Sequence, residues 1–278
     1  MVDLFKFLSF MSHSNLYLSF ATFLSAFSTS LILSAPLDFK IPFILFCGVF
    51  SFYLMNRYWE LKEDELTYPE RSHFIKNKKK IILALILIFY GCTIFLTYLK
   101  SLNAIFSLFF VTFLLIFYTL RIKGKRLKDI FLVKNLIISF AWAFIFTIFF
   151  ITESLNINKE FLIIFFFLGA FTFINTVIFD MRDIEGDKKN KIQTLPVKLG
   201  LEKSRKIIFL INFFLTIVSF LIWMYNFLPY SFIIFFTSIY LYLPIYLSKN
   251  ERKLNLVADI LGDGWIIFYG ALGLLLWL

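Results

Sequence analysis

Asn56, Glu60 and Asp64 recur every four residues in "MNRYWELKEDE", and Asp180, Asp183 and Asp187 follow at i, i+3 and i+7 in "FDMRDIEGDKK". At about 100° per residue each set falls on one stripe of a helix. Gly186 breaks helices readily, which would present Asp187 from a loop instead. Each set closes an even-numbered apolar run and is followed by lysines and arginines. A third pair, Asp259 and Asp263 in "LVADILGDGW", stands four apart near the start of the last apolar run. The plain reading is charge solvated at a membrane surface, since an acid costs about 2.5–3.5 kcal/mol only near the middle of a span. The repetition argues otherwise for the first two sets, because solvated faces have no need of matched stripes. Asp259 and Asp263 stay open between cavity-facing partners of basic groups and polar contacts between helices.

Two facing ranks of carboxylate beside basic loops suit a diphosphate held through magnesium. Mg²⁺ prefers a few carboxylates plus phosphate oxygens and water to a closed protein cage. Lys and Arg take the remaining phosphate charge, and without the metal the acids would repel the ligand. Walls of Phe, Leu and Ile then call for an anionic head on a long hydrocarbon tail, as in isoprenyl diphosphates.

The elements that must carry these groups are apolar helices. Of 278 residues, 60% are hydrophobic, 21% aromatic and 17% charged, whereas soluble domains are nearer half apolar and a quarter charged. A helical span takes about 20 mostly apolar residues, because in hydrocarbon the backbone must bond to itself. Nine runs qualify: Leu16–Ser34, Ile41–Trp59, Ile81–Leu99, Leu102–Leu120, Asn135–Thr152, Phe161–Phe179, Ile207–Tyr225, Ser231–Leu247 and Leu256–Leu278. Pro244 should kink the eighth, and residues 1–14 do not read as a signal peptide. The prediction is an all-α membrane protein, one integral-membrane domain over 1–278, with nine transmembrane helices around a central cavity opening near the cytoplasmic face.

Of the 28 Lys and Arg, 25 belong to the N-terminus and the even-to-odd connections and 3 to the others. Basic loops stay cytoplasmic, so the N-terminus is placed inside and the C-terminus outside. The net charge of +10 therefore belongs to the cytoplasmic face, where it meets anionic lipid or substrate, and needs no nucleic acid. Cys47 and Cys92 fall inside runs as small hydrophobes, and two histidines offer no zinc cluster.

These residues resemble the UbiA superfamily of intramembrane prenyltransferases. "NRYWELKED" is similar to its first acidic motif, N-x-x-x-D-x-x-x-D, and "DMRDIEGDKKNKIQTLPVKLG" to its longer second motif. "YTLRIKGKRLKDIFLVKN", beginning at Tyr118, looks like the family's fourth-to-fifth loop, and "DILGDG" like the opening of its last helix. The resemblance implies one Mg²⁺ site at Asn56, Glu60 and Asp64 and a second at Asp183 and Asp187, with Asp180 close by. It makes Asp64, Asp183 and Asp187 the catalytic acids, and Arg71, Tyr118, Lys125, Arg126 and Lys191 the substrate-binding residues. It further implies transfer of a polyprenyl group from an allylic diphosphate to a lipophilic or aromatic acceptor in the membrane. The departures touch the acceptor side: Glu60 replaces Asp, Arg57 an often acidic residue, and Ser12–Asn15 a stretch that commonly carries Arg. Asn190 and Ile192 stand where Gly and Arg are common.

Two other classes fit less well. A cation-coupled transporter would use the same intramembrane carboxylates, but favours broken helices at the midplane, whereas these acids sit at helix ends. An intramembrane aspartyl protease needs Gly two residues before Gly262-Asp263, and Ile260 is there.

Overall fold

The computed structural model describes residues 15–59, 61, 69–119, 127–152, 157–250, 254 and 257–278. They form helices and, among the described residues, no strand. The chain runs α1 (Leu16–Ile32), α2 (Lys40–Trp59), α3 (Pro69–Asn77), α4 (Lys79–Lys100), α5 (Leu102–Thr119), α6 (Val133–Ile151) and α7 (Lys159–Arg182). Two short helices, α8 (Ile184–Lys189) and α9 (Leu195–Leu199), precede α10 (Leu201–Met224) and α11 (Phe232–Leu247). A π-helical turn, Val257–Gly262, then leads directly into α12 (Asp263–Trp277).

Apolar helices stand at all nine predicted runs. Six are long and apolar enough to cross a membrane: α2, α4, α6, α7, α10 and the continuous Val257–Trp277. Leu16–Ile32, Leu102–Ile116 and Phe232–Leu247 are shorter. At 1.5 Å per residue, the 17 residues of α1 reach roughly 26 Å, just under the ~30 Å of a hydrocarbon core. Pro244 lies within α11, which continues to Leu247.

Each apolar helix packs on its neighbour in the chain, and the last closes on the first, so the nine form a ring crossed inside by contacts of α1 with α6 and α7. Side-chain size explains the closure. In "LYLSFATFLSAFSTSLI" the small residues Ser19, Thr22, Ser25, Ser28 and Thr29 are all buried. Ser19 and Thr29 return their hydroxyls to carbonyls four residues back, at 2.8 and 3.1 Å, so no polar group faces lipid unpaired. Gly270 and Gly273 of α12 lie against this stripe. A Cβ at Gly270 would come within 2.5 Å of the Leu24 backbone, and one at Gly273 would collide with Ser28. Small residues allow such close backbone approach where hydrocarbon supplies no drive between helices. Ser28 also donates to the Tyr269 carbonyl.

Two helix starts carry side chains that occupy open backbone N–H groups. Asn158 accepts from the Phe161 N–H at 2.9 Å, and Asp38 accepts from the Lys40 N–H at 2.9 Å. Asp38 also lies 3.5 Å from the Lys100 ammonium. Burial alone would raise the Asp38 carboxyl, but the Lys40 N–H and the charges of Lys100 and Lys40 outweigh it and hold the group below its ordinary range.

Candidate active site

At the end of the ring that carries most of the basic residues, α1, α2, α6, α7 and the π turn enclose a cavity of about 290 Å³. Alpha7 supplies most of its polar wall. Thr172, Asn175, Thr176, Phe179, Asp180 and Asp183 all line it because steps of three and four residues keep to one helical face. Asn56 and Arg57 enter from the last turn of α2, Lys134 from the first turn of α6, and Asp259 and Asp263 from the π turn and the residue that follows it.

Four of the acids are held by two cations, Lys134 and Arg182. Lys134 Nζ donates to Asp180 Oδ1 at 2.6 Å and reaches Asp187 Oδ2 at 3.5 Å. Asn135 Nδ2 donates to Asp180 Oδ2 at 2.7 Å. Arg182 grips Asp183 with Nε and Nη2, both at 2.8 Å, and its Nη1 pairs with Asp259. The same guanidinium lies 4.7 Å above the Phe179 ring, a stacked placement that holds its plane. One arginine thus ties the second acidic motif to the last helix. Burial pushes the Asp187 carboxyl up to about 6, opposed by Lys134 and reinforced by the like charges of Asp180 and Asp183.

The π turn has its own supports. Tyr17 Oη of α1 donates to the Ile260 carbonyl at 2.9 Å, and Tyr240 Oη of α11 to the Leu261 carbonyl at 3.2 Å. Single π turns within α-helices recur at functional sites. This one presents Asp259 to Arg182 and Asp263 to Asn175, whose Nδ2 donates to Asp263 Oδ1 at 2.9 Å. Both open readings of the third acidic pair therefore apply, one to each residue.

The predicted residues divide as follows. Asn56, Asp180 and Asp183 line the cavity. Asp187 is buried beside it on Lys134. The chain does not loop at Gly186: the Asp187 N–H donates to the Asp183 carbonyl at 2.9 Å, and helix resumes after Asp183. Tyr118 is buried near the end of α5, Arg71 falls on α3, and Lys191 is exposed with a left-handed φ of 59°. Glu60, Asp64, Lys125 and Arg126 lie outside the described residues. Among the described residues no three carboxylate, imidazole or thiol groups gather closely enough to hold a metal. Lys134, Asn175 and Arg182 were not singled out from the sequence. Asn175 was findable, since an amide inside the apolar run "FTFINTVIF" is a polar group at membrane depth.

The UbiA prenyltransferase family model matches residues 17–258. A digeranylgeranylglyceryl phosphate synthase of Methanosphaera stadtmanae is 29% identical over 210 residues, 72% of each chain. Among solved structures, a UbiA homologue from Aeropyrum pernix superposes with a TM-score of 0.68 at 13% identity, covering 93% of this chain and 97% of that one. An Archaeoglobus fulgidus UbiA homologue bound to GPP and Mg²⁺ gives 0.66 at 12% identity, covering 95% and 98%. A digeranylgeranylglyceryl phosphate synthase structure gives 0.60 at 18% identity, covering 95% and 96%. At these identities the superpositions show the fold.

Proposed function

The chain belongs to the UbiA prenyltransferase family, an integral membrane enzyme, and on that premise we propose Mg²⁺-dependent transfer of a polyprenyl group from an allylic diphosphate to a membrane-dissolved alcohol. The relative's name gives a product, digeranylgeranylglyceryl phosphate. Removing one geranylgeranyl group from it leaves geranylgeranylglyceryl phosphate, a phosphate-bearing alcohol, which we take as the acceptor. The donor class follows the GPP and DMAPP held with Mg²⁺ by the Archaeoglobus homologue.

The observation that carries this reading is the meeting, in one cavity, of Asn56 from the first motif and Asp180 and Asp183 from the second, with Arg57, Lys134 and Arg182 among them. These donors are carboxylate and amide oxygens with no thiol or imidazole, the hard set that magnesium takes. Asn56, with Glu60 and Asp64, would hold one ion, and Asp183 and Asp187, with Asp180 adjacent, the other. Magnesium held there would supply neutralisation of the diphosphate oxygens, which favours leaving of the diphosphate from the allylic carbon. Lys134 and Arg182, paired with carboxylates, line the same cavity and would turn hydrogen bonds to a diphosphate bound there. Trp142, Ile138 and Phe179 line the cavity and would keep the reacting carbon out of water, and the ring faces of Trp142 and Phe179 favour a cation.

The basic asymmetry supports a cytoplasmic cavity mouth, and its alternation from connection to connection supports nine crossings; we take the whole chain as one domain. The test uses the detergent-purified protein with labelled geranylgeranyl diphosphate, geranylgeranylglyceryl phosphate and Mg²⁺. Diphosphate and a prenyl ether should form together and stop with EDTA; a wild-type protein that releases no diphosphate overturns the proposal.

A further inference from the structure

Four carboxylates line the cavity, and three are committed to cations: Asp180 to Lys134, and Asp183 and Asp259 to Arg182. Asp263 differs. Among the described residues it has no ion-pair partner, and its one hydrogen bond comes from a neutral amide, Asn175 Nδ2 on Oδ1. Oδ2 is uncommitted. Two buried donors on the same wall go unused as well. Asn15 Nδ2 and Trp265 Nε1 have no hydrogen-bond partner, although Asn15 is 2% and Trp265 1% exposed and both residues line the cavity. Buried donors in native proteins are nearly always satisfied, so a ligand oxygen is the missing partner. A base that shares a cavity with two N–H donors suits an alcohol: its oxygen can accept from a donor while its proton leaves.

We propose that Asp263 is the catalytic base for the acceptor alcohol, with the Asn15 amide and the Trp265 indole N–H binding acceptor oxygens; this rests on the alcohol acceptor inferred above. In the step, the alcohol oxygen forms a C–O bond to the allylic carbon, whose bond to diphosphate breaks with the electron pair leaving on diphosphate. The alcohol proton passes to Asp263 Oδ2 and later to solvent. An ion-paired carboxylate is a poor proton acceptor because protonation forfeits the pair, which sets Asp263 apart from Asp180, Asp183 and Asp259. Its backbone is held by the Tyr17 and Tyr240 bonds to the π turn. It stands at the start of the last helix, one turn beyond the Asp259 that Arg182 holds, and its only hydrogen bond among the described residues comes from the neutral Asn175 of α7.

The test separates the two sides of the reaction. Asp263→Asn should lower kcat for ether formation about 10²–10⁴-fold and abolish the acid limb of the pH profile. Magnesium-dependent binding of the unreactive thiolodiphosphate analogue of the donor should be unchanged, and Asp263→Glu should recover part of the rate. Trp265→Phe should raise the acceptor KM about 10-fold, one hydrogen bond's worth, and leave the donor KM alone. Wild-type ether formation by Asp263→Asn with its pH profile intact overturns the proposal. Should that variant fail to bind the analogue, the decision passes to Trp265→Phe, where an unchanged acceptor KM counts against the niche. Wild-type protein that releases diphosphate but makes no ether overturns the alcohol acceptor, and this base with it.

Discussion

Replacing Lys134 with Met keeps an apolar stem in α6 and removes the ammonium 2.6 Å from Asp180 Oδ1 and 3.5 Å from Asp187 Oδ2. Asp180 is 1% exposed, and the variant leaves its charge with one hydrogen bond, from Asn135. Breaking a buried pair from one side costs about 3–5 kcal/mol. The Lys134 side chain is 17% exposed to the cavity, so the lower end, about 3 kcal/mol, is expected. At about 2–4 °C per kcal/mol for a chain of this size, the melting temperature should fall by about 6–12 °C. The unfolding assay is intrinsic fluorescence in detergent, where Trp142 and Trp265 report from the buried core. Adding Asp180→Asn removes the stranded charge, and the double variant should regain about 1–3 kcal/mol relative to the sum of the two singles, as residues in direct contact do. Additive losses, or a Lys134→Met protein that melts with wild type, would refute the pairing.

The seam between α1 and α12 predicts a contrast between glycines. Gly270→Ala must push Leu24 and should cost about 1–3 kcal/mol in the same melt, while Gly91→Ala, with nothing within 4 Å of its new Cβ, should be neutral or stabilise by up to about 1 kcal/mol. Asp183→Asn should cut diphosphate release about 10²–10³-fold with the fold kept, measured beside an EDTA control. For orientation, a cysteine at Lys159 should react with an impermeant maleimide on intact cells, and one at Lys188 only after permeabilisation.

Much of the site could be read in residue types, because placing acids at the ends of apolar runs is costly enough to be written plainly in sequence. Asp180 and Asp183 were found that way. The pairings between elements were not, since Lys134 lies 46 residues from Asp180 and Arg182, next to Asp183 in the chain, meets Asp259 across 77; such choices depend on how α6, α7 and α12 are rotated in the ring. The π turn is equally invisible, because "LVADILGDGW" has ordinary helical spacing and the widening is set by the neighbours Tyr17 and Tyr240. Gly186 misleads for the opposite reason. Glycine costs only about 1 kcal/mol in a helix, and the chain bears that cost here, since the Asp187 N–H still bonds to the Asp183 carbonyl.

The charge on the walls explains why a polyanion belongs here only with metal. The lining acids Asp180, Asp183, Asp259 and Asp263 face the bases Arg57, Lys134 and Arg182, and Asp187 adds another negative group through Lys134. The wall is therefore acidic on balance and would repel a diphosphate in a medium where water screens little. Divalent ions held by those carboxylates would reverse that sign locally and would leave Lys134 and Arg182 able to pair with the anion. Asp263 has no ion pair to exchange among the described residues, so on the proposed mechanism it would serve the acceptor while the acids of α7 and α8 would serve the donor.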